Sequence, residues 1–74
     1  MTKIKLNNGN ETEINKGDML FLTLTPENSS ILVRGSYIET KKDGNVLFSI
    51  VNSKYELEEY SAPSSRVVRV ERSN

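Results

Sequence analysis

Turn-forming residues interrupt this chain roughly every eight to twelve positions, a spacing that leaves room for short β-strands but not for a helix with a sustained apolar face. Asn7-Asn8-Gly9-Asn10, Asn15-Lys16-Gly17-Asp18 and Lys41-Lys42-Asp43-Gly44-Asn45 are the three clearest interruptions. Asn-Gly and Asp-Gly accept positive φ and are the strongest local signal for a hairpin. Pro26 cannot donate to a strand ladder and ends the run before it.

The segments between these turns alternate as strands do. Lys3–Leu6 places Ile4 and Leu6 on one face, and Glu11–Ile14 returns with Thr12 and Ile14 together. Met19–Thr25 is the strongest strand. Leu20, Leu22 and Leu24 share a face, Met19 and Phe21 begin the other, and apolar residues on both faces predict an interior position in the sheet. Residues 27–30 read as a loop. Ile31–Thr40 is long, and Gly35 in its middle predicts a bulge or sharp bend. Val46–Val51 is β-branched and apolar.

Residues 54–60 admit two readings. Ser53-x-x-Glu56 matches a helix capping box, with Leu57 and Tyr60 on one helical face. A strand instead pairs Tyr55 with Leu57 and turns Glu56 and Glu58 outward. Strand is preferred, because no helical period is sustained before Pro63. Ser61–Ser65 then predicts a short 3₁₀ turn, Arg66–Glu71 a last strand, and 72–74 a frayed end.

The predicted fold is therefore all-β: a single domain with an N-terminal hairpin over 1–14 and a small antiparallel barrel of about five strands over 18–71. The strand order, with a short Pro-containing turn before the last strand, resembles the topology of Src-homology-3-like small barrels. That fold hosts many functions and implies no particular one.

Composition excludes more function than it suggests. The 74 residues contain no histidine and no cysteine. The usual general base at neutral pH, thiolate metal ligands and disulfides are therefore all missing. A core this small contributes only about 3–5 kcal/mol net, which favours self-association. Ten basic and ten acidic residues cancel, so no global field draws the chain onto nucleic acid or anionic lipid. Met1–Lys5 lacks the apolar run of a secretory signal, and Met19–Leu24 is too short to span a bilayer. A cytoplasmic protein without membrane contact, cofactor or metal is expected. Its general character suits a bacteriophage or mobile-element accessory protein.

The residues bear on three kinds of site. For catalysis, no Ser–His pair or phosphate-binding glycine loop is present, and a non-enzymatic role is expected. For protein contact, Tyr55 and Tyr60 flanked by Glu56 and Glu58, with Glu59 beside them, suit a small interface in which aromatics anchor and acids orient. This is the preferred reading, with an unidentified protein partner. For nucleic acid, the candidates are Arg34, Lys41, Lys42, Arg66 and Arg69, with Tyr37, Tyr55 and Tyr60 able to stack bases. On a strand, however, Arg69 faces away from Arg66 and Arg72.

The window from Lys16 to Gly35 also resembles the tryptophan-activated RNA-binding attenuation protein family. Lys16, Gly17, Asp18, Leu24, Thr25, Ser29, Ile31, Val33, Arg34 and Gly35 stand at the family's spacing. The resemblance implies a ring of β-subunits, with RNA around the rim and a small ligand between neighbours. Arg34 matches an RNA-contacting arginine, and Thr25 and Ser29 match polar positions of the ligand pocket. Two lysine positions of the family carry Leu32 and Glu13 here. A ring-forming or barrel-type RNA or single-stranded DNA binder is the alternative function.

Overall fold

The computed structural model describes residues 2–25 and 28–72, with backbone only at 24, 25 and 28–32. Seven strands follow in order: β1 (Thr2–Lys5), β2 (Glu11–Ile14), β3 (Met19–Thr25), β4 (Asn28–Thr40), β5 (Asn45–Val51), β6 (Leu57–Pro63) and β7 (Val67–Glu71), with a 3₁₀ turn at Ser64–Arg66. β1 and β2 form a separate antiparallel hairpin, in which Lys3 faces Glu13 and Lys5 faces Glu11. The other five strands form one antiparallel sheet in the order β6-β5-β4-β3-β7. This all-β arrangement is the one expected, and β3 lies inside the sheet as its two-sided apolar pattern requires.

The ladder is not closed. β6 and β7 end the strand order and do not pair with each other, so the barrel is open along one seam. The sheet nevertheless curls around a single core. Ala62 on β6 and Val67 on β7, at opposite ends of the order, belong to the same buried cluster as Leu20, Leu22, Tyr37, Val46 and Phe48. Ile4 and Ile14 of the hairpin join this cluster, so the N-terminal flap supplies part of the core. The flap is tied down where its turn meets β7: Asn7 N–H donates to Val67 O at 2.8 Å, and its amide donates to Ser65 O at 3.1 Å.

Several local expectations need correction. Residues 28–30 belong to β4 rather than to a loop. Gly35 is not the bulge; the register shift lies between Tyr37 and Glu39. Gly35 is required for space instead. It lies buried opposite Leu20, and a Cβ there would collide with the Phe48 ring. Residues 54–56 are neither strand nor helix but a turn, and β6 begins three residues later than predicted. The 3₁₀ turn likewise moves to Ser64–Arg66. Of the frayed end, residues 73 and 74 lie outside the described residues. The side chains of Leu24, Thr25, Ser29 and Leu32 lie outside them as well, as does Pro26.

One buried acid has a clear structural role. Asp18 Oδ2 accepts from Asn15 N–H at 2.9 Å, and the same turn bonds β4 through Gly17 N–H to Tyr37 O (2.9 Å) and Tyr37 N–H to Asp18 O (2.8 Å). The turn therefore orients the hairpin against the sheet.

Candidate binding surface at the β5–β6 corner

β5 and β6 are antiparallel, with Val51 opposite Leu57 as the last pair before the turn. The turn 52–56 is closed by Asn52 N–H to Glu56 O at 2.9 Å and Tyr55 N–H to Asn52 O at 3.0 Å. Asn52 then uses its side chain twice more. Its Oδ1 accepts from Lys54 N–H at 2.8 Å and from Glu56 N–H at 3.0 Å. These bonds satisfy the local donors that a helix would have used, which is why the capping-box reading fails.

This turn forces Tyr55 to φ 61°, the left-handed region that L-residues other than Gly, Asn and Asp rarely enter. No other non-glycine residue among those described has positive φ. Tyr55 is also 91% exposed, and the adjacent pair Leu57 and Val51 are 72% and 58% exposed. Three large apolar groups thus share one corner, at the end of a strand whose far side has no neighbour among the described residues. The outer face leads from Val51 and Leu57 into a shallow depression of about 580 Å³ that also touches Met19, Arg34, Ser36 and Ser49.

The predicted interface residues divide between this corner and the inner face. Alternation along β6 sends Leu57 and Glu59 outward, and Glu58 and Tyr60 toward the concave side that holds Ala62. The Tyr60 hydroxyl donates to Glu58 Oε2, and Asn52 Nδ2 donates to Glu58 Oε1 at 2.8 Å. The bond from Tyr60, then that from Asn52, holds the Glu58 carboxyl below its ordinary value. The same bond, followed by the Glu58 charge, holds the Tyr60 phenol above 10.0. Glu56 stands in the turn beside Tyr55. Tyr55, Glu56 and Leu57 therefore form the outward cluster, while Glu58 and Tyr60 brace the turn from inside through Asn52.

The cationic candidates are dispersed. Arg34 on β4 and Arg69 on β7 stand in register on either side of Phe21. Arg69 lies over the Phe21 ring at 4.3 Å and pairs with Glu71 at 3.0 Å, so Phe21 is covered rather than offered to a base. Arg66 sits in the 3₁₀ turn, and a register shift in β7 breaks the strand alternation assumed for the terminal arginines. Lys41 and Lys42 lie at the β4–β5 turn, the opposite end of β5 from Asn52. Tyr37 cannot stack a base: it is buried, and its hydroxyl bonds Thr40 Oγ1 at 2.6 Å. The small-ligand candidates Thr25 and Ser29 have side chains outside the described residues. Among the described residues no group of acidic side chains is placed to hold a metal ion, and no helix is long and apolar enough to cross a membrane.

Val51, Leu57 and Asn52 were not singled out by sequence. An Asn following a β-branched run is a visible turn signal, but the exposure of Val51 and Leu57 follows only from their register. No protein-family model, curated protein or solved structure matches the chain, and the resemblance over residues 16–35 receives no support from them.

Proposed function

We propose that the chain is a non-enzymatic binding protein that takes an extended segment of a protein partner along the free edge of β6. Tyr55 and Leu57 are its anchors. The observation that carries this reading is Tyr55, a large aromatic held in a costly backbone conformation with almost all of its surface in solvent. Strain without a packing return points to a contact made outside the chain. An unpaired strand edge offers main-chain hydrogen bonds, and the apolar corner supplies the buried centre such an interface needs. Glu56 and Glu59 set the partner's chemistry: an apolar side chain for Leu57 and Val51, with a lysine or arginine nearby. Symmetric β6-to-β6 pairing of two copies centred on Glu59 is disfavoured, because it would bring the two Glu59 carboxylates face to face.

The test is selection from a displayed library of short random peptides. Enrichment of alternating apolar and basic sequences is expected, with affinity lost in Leu57→Lys and reduced at least about tenfold in Tyr55→Ala. Peptides that bind Leu57→Lys as well as the parent would defeat the proposal. Titration with mixed single-stranded oligonucleotides at low salt checks the nucleic-acid alternative under the conditions that favour it most. No binding is expected there.

A further inference from the structure

The open seam has a second consequence on the concave side of the sheet. A cavity of about 450 Å³ lies there, walled by Leu22, Phe48, Ile50 and Ala62. The N-terminal flap contributes Ile4 and Ile14 to the core, but none of its described residues lines this cavity. The volume falls in the range of small-molecule sites, and the walls are side chains on hydrogen-bonded strands.

Thr23 also lines it. This residue is only 4% exposed, and its Oγ1 has no hydrogen-bond partner among the described residues. Buried hydroxyls are nearly always partnered, and valine would fill the same volume at no polar cost. A threonine kept here is explained by a polar atom that arrives with a ligand.

Charge narrows the class further. Glu58 and Arg66 both line the cavity, one of each sign, and the Glu58 carboxylate is already held by Asn52 and Tyr60. The described walls thus carry no net charge, and an ionic ligand would lose its hydration without a matching excess of opposite charge.

We infer that this cavity binds a small, uncharged, largely apolar molecule that carries one hydrogen-bonding group for Thr23. Tyr55, Leu57 and Val51, the apolar groups of the proposed protein-binding corner, do not line this cavity, although Asn52 of the same turn does.

N-phenyl-1-naphthylamine, a neutral fluorophore with a single N–H, is a suitable probe. Titration of the full chain should give saturable enhancement at one site. Ala62→Phe, which fills the cavity, should weaken binding at least about tenfold. Thr23→Val should weaken it about tenfold while the melting temperature stays level or rises, a combination that damage to the fold does not produce. Leu57→Lys should leave the titration unchanged. Absence of saturable enhancement overturns the site, as does undiminished affinity in Thr23→Val or in a folded Ala62→Phe. Loss of binding in Leu57→Lys would move the probe to the outer face and overturn it too. Should Ala62→Phe not fold, Thr23→Val and Leu57→Lys decide the question together.

Discussion

The turns at 41–45 and 52–56 close the same backbone ring with different residues. In the first, Lys41 N–H bonds Asn45 O at 2.7 Å and Gly44 N–H bonds Lys41 O at 3.0 Å. In the second, Asn52 and Glu56, then Tyr55 and Asn52, make the equivalent bonds at 2.9 and 3.0 Å. The flap turn, from Leu6 to Asn10 with Gly9 in the matching place, repeats the pattern. Gly9 and Gly44 take the positive φ that this ring demands; the third turn gives that place to Tyr55. The side-chain support moves as well. Asn8 and Asp43 each accept from the N–H two residues on at 2.9 Å, whereas Lys54 in that position cannot, and Asn52 takes over from the start of the turn. A turn can thus carry an unsuitable residue at its tip if another side chain fixes the backbone around it. Two turns place glycine where the backbone needs positive φ, and the third places an exposed aromatic ring there at a cost in backbone strain.

Four measurements can break or sharpen that contrast. Asn52→Ala should have the largest effect, lowering unfolding free energy by about 2 kcal/mol, because two backbone donors and Glu58 lose their partner together. Urea denaturation reads this directly, and an unchanged midpoint would show that the third turn needs no side-chain support.

Gly44→Ala comes next. Its new methyl meets open space, so only the left-handed backbone is strained, at a cost of about 1 kcal/mol. A much larger loss would mean that the first turn depends on packing.

Tyr55→Gly should raise stability by about 0.5 kcal/mol, the relieved strain being partly offset by glycine's greater freedom when unfolded. The same change should abolish selection of apolar–basic peptides. Stability that falls instead would show the ring to be structural.

The smallest effect concerns Glu58 and Tyr60. Glu58 has its pKa lowered by folding, so its contribution is present above the ordinary carboxylate value and lost as pH falls through the folded one. Tyr60 has its pKa raised, so its contribution is present below 10.0 and lost as pH rises through the folded value. The pair therefore works in the window between the two. Both groups are exposed and well screened, so the better observable is the phenol itself. Its absorbance titration should move back toward 10.0 in Glu58→Gln.

Much of the architecture was legible in local chemistry. The turns at Gly9, Gly17 and Gly44 announced themselves, because only a few residue types tolerate the backbone they need. Alternation then assigned Ile4, Ile14, Leu20 and Leu22 to the core, where they are found. The turn at 52–56 was misread because its instruction lies in a side-chain hydrogen bond from Asn52, not in a Gly at the tip. Gly35 is not the bulge that its place in the strand suggested, and the contact that requires it is with Phe48, thirteen positions on, which no local pattern reports.

The candidate sites were less legible still. Tyr55 and Glu56 were found as residues, but their grouping with Leu57 and Val51 depends on the β5–β6 register, and the separation of Glu58 and Tyr60 onto the concave face depends on where β6 begins. By itself the sequence determined the fold class, the approximate strands, three of the turns and the absence of histidine and cysteine chemistry, since each of these depends on residues close together in the chain. Only the tertiary structure decided that β6 and β7 leave a seam, that Thr23 lies buried beside a cavity, and that the arginines at 34 and 69 flank Phe21. These are long-range outcomes of strand order and register, in which a shift of one residue exchanges the two faces of a sheet.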